Sequence, residues 1–280
     1  MGKNFLRQFF RRKIAAAALI LLVLELLAVI LLPPLLHLDP YTTDPLAMNR
    51  APDAAHLLGT DALGRDLLAR LVCGGRNSLF IGFASTVVSV LIGLPLGLLA
   101  GYRRGPLSSL IMRLADMFLS FPSMVLVLVL VALFGSSVWS ITLLLGVLGW
   151  PQVARLMNAS VLAEREREYV TAARALGLGE ATILWRHILP NAISPLWMSL
   201  AFRVSQSMIL ESGLSFLSAG VQPPESSWGN IMQAAGSLVT LSTRPWIWLS
   251  AGLCLILTIV CINFVGEGVR DALDPKMMEQ

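Results

Sequence analysis

The sequence predicts an all-α integral membrane protein with six transmembrane helices. Only 14% of its 280 residues are charged and 56% are hydrophobic, whereas soluble domains contain about 25% charged residues. Several apolar runs approach the roughly 20 residues that cross the hydrocarbon core of a bilayer. Because lipid offers the backbone no hydrogen-bond partners, each of these runs is expected to be helical.

The first span, at about residues 14–36, follows a basic N-terminus. This run is too long for a secretory signal peptide and no small-residue cleavage site follows it, so it is expected to stay as an anchor. The other five spans are expected at about 79–101, 114–134, 138–157, 193–215 and 246–266.

Lys and Arg residues are distributed unevenly between the segments that join the spans. If both termini are cytoplasmic, fifteen of the 21 Lys and Arg residues lie inside and five outside, with Arg203 within a span. Cytoplasmic loops carry such an excess, so residues 158–192 are predicted inside, and 37–76 and 216–244 outside. The net charge of +4 follows from this bias and does not indicate binding to nucleic acid.

The polar segment 37–76 joins the first two spans. Its three prolines break any helix before Asp61, and a short helix is expected near its end. Asp61 is expected to cap this helix, and Arg65 to pair with Asp61 or Asp66.

Two features stand out in the next two spans, a strip of glycines in one and a proline in the other. Gly93, Gly97 and Gly101 recur every fourth residue of the second span and form a strip that another helix can approach closely. Packing inside the bundle is the first interpretation of this strip, and a conformational hinge is the second. Pro122 is expected to interrupt the third span.

Three charged residues lie inside predicted spans, namely Glu25, Arg203 and Glu211. Burying a charge in a membrane is costly, so each residue is a candidate for a role in translocation. Polar contacts with neighbouring helices are the alternative, and the sequence leaves both interpretations open.

A polar helix-turn-helix, "EYVTAARALGLGEATILWRHILPN", occupies residues 168–191 of this apolar chain. A charged helix is expected over 161–176, and Gly177 is placed to end it in a left-handed cap. A second short helix is expected from Glu180 to Ile188, stopping before Pro190.

This second helix carries more apolar side chains than a solvated loop needs: Ile183, Leu184, Trp185 and Ile188. Either the segment presents a surface to another protein, or it packs on its own bundle. Reading of DNA is disfavoured because the segment is tethered to the membrane and its arginines are balanced by glutamates.

Several other classes of protein are excluded. A phosphate-binding loop needs a Gly-rich turn before its lysine, and none of the lysines has that setting: Lys3, Lys13 and Lys276. His37, His56 and His187 are too scattered for a metalloprotease site. A stand-alone secondary transporter remains a rival, although no internal repeat supports it.

The motif "TAARALG", nine residues, then "HILP" (171–190) resembles the coupling loop of bacterial ABC-importer permeases. That pattern is Glu-Ala-Ala, three residues, Gly, nine residues, Ile, any residue, Leu-Pro. The matching residues are Ala172, Ala173, Gly177, Leu189 and Pro190. Thr171 stands in place of Glu and His187 in place of Ile, which resembles the peptide and nickel branch of the family.

Four further blocks resemble the second, C-type permease subunit of dipeptide, oligopeptide and nickel importers. They lie at 56–71 ("HLLGTDALGRDLLARL"), 116–126 ("DMFLSFPSMVL"), 223–232 ("PPESSWGNIM") and 270–275 ("RDALDP"). The resemblance therefore covers nearly the whole chain.

The resemblance implies a type I ABC-importer transmembrane fold in a bacterial inner membrane. Residues 1–75 would form the cytoplasmic tail, the anchor helix and the extracytoplasmic segment. Residues 76–268 would form the transmembrane type-1 domain, and 269–280 a cytoplasmic tail.

Two sets of site residues follow from the resemblance. The coupling loop, which would sit in a groove of an ATPase subunit, comprises Thr171, Ala172, Ala173, Gly177, Leu184, Trp185, His187, Leu189 and Pro190. The extracytoplasmic motif, read either as a lid on the bundle or as a docking surface, comprises Gly59, Thr60, Asp61, Gly64, Arg65 and Asp66.

The resemblance also implies partners. They are a homologous permease in a heterodimer, for which the glycine strip offers a close-packing surface, two ATPase subunits and an extracytoplasmic substrate-binding protein. No catalytic residue, metal or cofactor is expected on this chain, because ATP and Mg²⁺ would bind the ATPase subunits. Peptides are the first substrate interpretation, and nickel or a metal chelate is the second.

Overall fold

The structure, a computed structural model, describes residues 8–103 and 105–273. Within these ranges it contains helices and loops, one isolated bridge between Thr60 and Asp66, and no strand. Four residues of the charge argument lie outside the described residues: Lys3, Arg7, Arg104 and Lys276. The end of the 270–275 block also lies outside them.

Ten helices are numbered in chain order. They are α1 Lys13–Leu35, α2 Leu67–Tyr102, α3 Pro106–Leu119, α4 Ser123–Phe134, α5 Val138–Arg165, α6 Glu168–Ala175, α7 Ser194–Phe216, α8 Trp228–Met232, α9 Leu238–Thr243 and α10 Leu249–Leu273. Three short elements lie between α6 and α7, at Glu180–Thr182, Ile183–Ile188 and Leu189–Ala192. Short 3₁₀ turns lie at Pro45–Ala47, Gln233–Gly236 and Pro245–Ile247.

Four helices in the described part of the chain are long and apolar enough to cross a membrane, namely α1, α2, α5 and α10. The pair α3 and α4 makes a fifth span if it counts as one. The remaining candidate for a span is α7, which has 23 residues but contains Arg203, Glu211 and a series of serines. The all-α membrane fold is confirmed, and the count of six spans is approximate.

The third expected span, 114–134, is two helices. α3 begins at Pro106, and α4 follows after a bend of 87°. The expected interruption at Pro122 is confirmed, because Pro122 directly precedes α4 and its ring cannot continue the α3 helix.

The second span begins earlier than the expected residue 79. α2 runs for 36 residues from Leu67, so the short separate helix expected after Asp61 is the first part of α2. Asp66 caps α2, since its carboxylate accepts a hydrogen bond from the Ala69 backbone N–H at 2.8 Å. The expected cap at Asp61 is wrong.

The strip formed by Gly93, Gly97 and Gly101 lies against α5. A Cβ atom at Gly93 would lie 2.6 Å from the Trp150 carbonyl oxygen, and one at Gly97 would lie 2.7 Å from the Met157 Cβ. The glycines therefore let two long helices of the same chain approach closely. The strip is not open to a second permease, which corrects that part of the expectation.

α1 and α10 lie side by side. Arg12, which precedes α1, pairs with Asp271 near the end of α10 at 2.5 Å. At mid-depth the Thr258 hydroxyl donates to the Glu25 carboxylate at 2.6 Å. Glu25 therefore makes a polar contact between two helices, and the start of α1 lies on the same side as the end of α10.

Candidate functional site

The helix-turn-helix segment, residues 168–192, begins one turn beyond α5. The helix expected over 161–176 is broken, because α5 ends at Arg165 and α6 begins at Glu168. The buried Arg165 guanidinium donates to the Gly101 and Tyr102 carbonyl oxygens at 3.2 and 2.9 Å. These carbonyls end α2 and lack helical partners, so Arg165 ties the end of α5 to the end of α2.

Gly177 ends α6 in the expected left-handed conformation, with φ +78°. Its N–H donates to the Arg174 carbonyl at 2.9 Å, and the Leu178 N–H donates to the Ala173 carbonyl at 3.2 Å. This pair of bonds is the Schellman motif, in which the residue after the C-cap takes positive φ. The turn fixes the direction in which the chain leaves α6.

The second arm of the segment, which is the helix expected from Glu180 to Ile188, does not stop before Pro190. Residues Ile183–Ile188 form a π-helix, in which the Leu189 N–H donates to the Leu184 carbonyl five residues back. Helical turns then continue over Leu189–Ala192. Pro190 lies at the start of this last turn, where its missing N–H has no helical partner to lose.

The segment has a buried face and an exposed face. Val170, Ala173, Ile183 and Ile188 are buried, and they pack against α5 residues of the same cluster. Part of the segment therefore packs on its own bundle.

The opposite face carries large apolar side chains in the open. Leu176 is 82% exposed and Trp185 is 59% exposed. Thr171, Ala172 and Pro190 are also exposed. Of the two alanines that match the family pattern, Ala172 is available to a partner, whereas Ala173 packs inside the chain.

Three of the nine expected coupling residues lie between the two faces. Leu184, His187 and Leu189 are half-buried. The Tyr169 hydroxyl donates to the Glu164 carboxylate at 2.6 Å, and burial, helped by this carboxylate, raises the pKa of the Tyr169 phenol. The Asn191 side-chain amide donates to the Tyr169 hydroxyl oxygen at 3.2 Å, so Tyr169 links the two arms of the segment.

The extracytoplasmic motif centres on a buried carboxylate. Asp61 accepts from the Arg65 Nε at 2.8 Å and from the Arg70 Nη1 at 2.6 Å. The expected pair between Arg65 and Asp61 is therefore present, but sequence reasoning missed Arg70. Asp61 also accepts from the backbone N–H groups of Leu63 and Arg65 at 2.8 and 3.0 Å, which shapes the loop before α2.

The other members of the motif shape the same loop. Gly59 and Gly64 have positive φ, and a Cβ at Gly59 would lie 2.5 Å from the Arg50 carbonyl oxygen. The Thr60 hydroxyl accepts from the Arg50 N–H at 2.9 Å and donates to the Ala47 carbonyl. Asp66 caps α2 and pairs with His56 at 2.8 Å.

Arg70 joins two sequence blocks that are distant in the chain. Its Nη2 donates to the Asn230 side-chain oxygen at 3.2 Å. Asn230 completes the capping box of α8 with Ser227. A cavity of about 390 Å³ lies beside Asp61, Arg70 and Asn230. The blocks at 56–71 and 223–232 therefore form one structure, at the end of α2 opposite the helix-turn-helix segment, which no local pattern predicts.

The charged residues of α7 contact neighbouring helices. Glu211 is fully buried and accepts from the Ser215 hydroxyl at 2.7 Å and from the Ser78 hydroxyl of α2 at 3.4 Å. Arg203 donates to Gln152 and to the Leu145 carbonyl, both in α5. Within residues 8–103 and 105–273, no group of three His, Cys, Asp or Glu side chains is arranged to hold a metal ion.

A bundle of long apolar helices with a polar, partly exposed helix-turn-helix at one end defines a multi-pass membrane protein. The family described as "binding-protein-dependent transport system inner membrane component" matches residues 93–279. The "N-terminal TM domain of oligopeptide transport permease C" matches residues 1–52. The chain belongs to the binding-protein-dependent transport system inner membrane component family.

Curated relatives are similar over most of their length. The oligopeptide transport system permease protein OppC of Haemophilus influenzae is 38% identical over 96% of this chain and 87% of its own. The di/tripeptide transport system permease protein DppC of Pseudomonas aeruginosa is 40% identical over 80% of this chain and 73% of its own.

A solved structure shares the fold. It is the methionine ABC transporter MetNI in an inward-facing conformation, with a TM-score of 0.62 and 21% identity over 74% of this chain and 98% of that chain. The expected type I ABC-importer permease fold is confirmed.

Proposed function

We propose that this chain is one of two permease subunits of an ATP-driven importer of di- and oligopeptides. The observation that carries the proposal is the helix-turn-helix segment, whose inner face is anchored on α5 while Leu176 and Trp185 stand exposed. Relatives named for oligopeptides and for di- and tripeptides support the substrate class. Nickel or a metal chelate is the alternative, which the same architecture would serve.

The exposed face of the segment is the surface for an ATPase subunit. Leu176 and Trp185 would enter a groove of that subunit, while Ala172 allows close approach. The segment joins α5 to α7, so a movement imposed on it by closure of two ATPase subunits would be passed to both helices. ATP and Mg²⁺ would bind the ATPase subunits, and this chain would bind no cofactor.

A homologous permease would supply the other half of the pathway. The partner would contact exposed apolar faces of the bundle, since the glycine strip is covered by α5. The domain assignment follows: a tail, anchor and outer segment over 1–75, the transmembrane type-1 domain over 76–268, and a tail over 269–280. The outer segment, with the Asp61 motif, would face the substrate-binding protein.

Both termini are proposed to be cytoplasmic. The Arg12–Asp271 ion pair supports a common side for the two ends of the bundle. Gln222 is an exposed residue of the outer loop, so a Gln222→Cys variant should react with a membrane-impermeant thiol reagent in intact cells. Ser226 is a poor reporter, because it is buried. Labelling of Gln222→Cys only after permeabilisation would reverse the orientation.

The substrate proposal is tested by uptake in cells that carry the complete transporter. We expect uptake of radiolabelled trialanine to require this chain, the ATPase subunits and the binding protein, with ⁶³Ni²⁺ uptake unchanged on deletion of this chain. Loss of ⁶³Ni²⁺ uptake with normal trialanine uptake would establish the alternative. Uptake of either solute that persists without the ATPase subunits would refute the ATP-driven mechanism.

A further inference from the structure

Arg203 lies near the middle of α7 and is buried without a counter-charge. It is 8% exposed. Its Nη1 donates to the Gln152 side-chain oxygen at 3.1 Å, and its Nη2 donates to the Leu145 carbonyl oxygen at 3.0 Å. Both acceptors are neutral, and the buried Nε has no partner. No carboxylate of the described residues forms an ion pair with Arg203.

Two hydrogen bonds to neutral acceptors do not account for a positive charge at this position. A buried cation is costly unless an anion or several acceptors surround it, and a neutral glutamine would serve to tie α7 to α5. The two other buried arginines of the described residues each pair with a carboxylate, Arg70 with Asp61 at 2.6 Å and Arg165 with Glu166 at 3.2 Å. Arg203 therefore retains an unmet requirement for an anion.

The surroundings of Arg203 are shaped to hold the guanidinium in place. A Cβ at Gly149 of α5 would collide with the guanidinium and with the Ser89 hydroxyl of α2. Gly149 therefore provides a slot in α5 that the guanidinium of Arg203 occupies. The slot fixes the guanidinium beside Gln152 and leaves its charge uncompensated.

The slot lies beside a polar surface of the chain. Gln152 is exposed although it lies near the centre of α5, and Gln206, one turn after Arg203 on α7, is exposed as well. Amide side chains facing hydrocarbon lose their hydrogen bonds, so this surface faces water or protein. One turn beyond Gln152, Arg155 forms an exposed ion pair with Asp116, which continues the polar surface towards the end of α5.

We propose that Arg203, held by Gln152, is a carboxylate-binding site on the substrate path of this permease. An anion that enters from the polar surface meets the one guanidinium of α7, while the charge of Arg155 is already balanced by Asp116. The identity of the ligand as the C-terminal carboxylate of a peptide rests on the proposed function. The preference of the site for an anion rests instead on the surroundings of Arg203.

The preference for an anion is tested with charged thiol reagents in the assembled transporter. A Gln206→Cys variant without the three native cysteines reports the potential one helical turn from Arg203. We expect it to react faster with an anionic methanethiosulfonate than with a cationic one, and Arg203→Gln should lower this ratio several-fold. Arg203→Lys should retain most of it.

A cysteine at Val147, on another face of α5, is the matched control, and its ratio should not respond to Arg203→Gln. A Gln206→Cys variant that does not react, or whose ratio is unchanged by Arg203→Gln, would overturn the site. Co-purification of the ATPase subunits shows for each variant that the complex still assembles.

The ligand is tested in proteoliposomes with saturating binding protein. Arg203→Gln should lower uptake of trialanine roughly 10- to 100-fold, as for loss of a charged hydrogen bond, and should leave uptake of trialanine amide nearly unchanged. An equal loss for both peptides in an assembled complex would show that Arg203 is only structural. If the wild type imports neither peptide while the reagent ratio still depends on Arg203, the peptide assignment fails and the anion site stands.

Discussion

Replacing Gly177 by valine is expected to uncouple the transporter without unfolding the bundle. Gly177 has φ +78°, and its turn sets the direction of the second arm through the bonds from Gly177 and Leu178 to the last carbonyls of α6. An added Cβ at Gly177 would meet nothing within 4 Å. The substitution therefore acts through the backbone conformation alone.

The magnitude follows from that conformation. An L-residue in the left-handed region costs roughly 1–2 kcal/mol, which changes the population of the native turn by a factor of about 5–30. This cost falls on an exposed turn, whereas the bundle is held by helices far from it. We expect normal amounts of Gly177→Val in the membrane, but a 5- to 30-fold weaker association with the ATPase subunits and a similar loss of transport.

The assay compares three variants of the complete complex. Gly177→Asn should retain much of the function, because asparagine enters the left-handed region at lower cost. Gly179 is the matched control, since it also has open space around its Cβ but has φ −63°. Gly179→Val should therefore be nearly silent in ATPase co-purification and in uptake.

Two results would refute this reasoning. Full ATPase association and full transport by Gly177→Val would show that the turn does not set the coupling surface. An equal loss in Gly179→Val would show that the side chain, rather than the backbone, obstructs the partner.

Two further substitutions test the packing of the chain. Gly97→Leu should lower the melting temperature of the purified complex, because its Cβ would lie 2.7 Å from the Met157 Cβ and must push α2 away from α5. Gly252→Ala is the control and should have little effect, since the nearest neighbour of its Cβ is at 3.8 Å. Equal melting temperatures for the two variants would contradict the packing argument. Asp61→Asn should destabilise the structure formed by the blocks at 56–71 and 223–232 by about 3–5 kcal/mol, because it leaves the buried Arg70 without its carboxylate, and hydrogen exchange in residues 56–71 should rise. Unchanged exchange there would show that the ion pair contributes nothing to this structure.

The long apolar runs predict the fold because lipid imposes helices on them. The same reasoning predicts the break at Pro122 and the positive φ of Gly177, since each depends on one residue and its own backbone. It misplaces the start of α2, because the first turns of this helix are held by tertiary burial of residues such as Leu67, Val72 and Ser78, which an apolar run does not reveal. It also stops the second arm before Pro190, since a π-helical register is invisible in a pattern of apolar positions.

The polar networks are less predictable than the helices. Arg70 and Asn230 form a hydrogen bond although they are 160 residues apart in the sequence, and only the folded bundle brings them together. The sequence identifies Arg203 and Glu211 as unusual, but not their partners. Serines such as Ser78 and Ser215, which satisfy Glu211, are too common in membrane helices to be singled out.

The length of α2 has a mechanical consequence. Its 36 residues extend over roughly 54 Å at 1.5 Å per residue, whereas the hydrocarbon core is only about 30 Å thick. One end of this rod carries the Asp61–Arg70 network, and the other accepts the Arg165 guanidinium beside the helix-turn-helix segment. A tilt of about 10° around its midpoint would move each end by roughly 5 Å in opposite directions. A rigid tilt of α2 would therefore carry a displacement from one aqueous face of the membrane to the other without any relay of side chains.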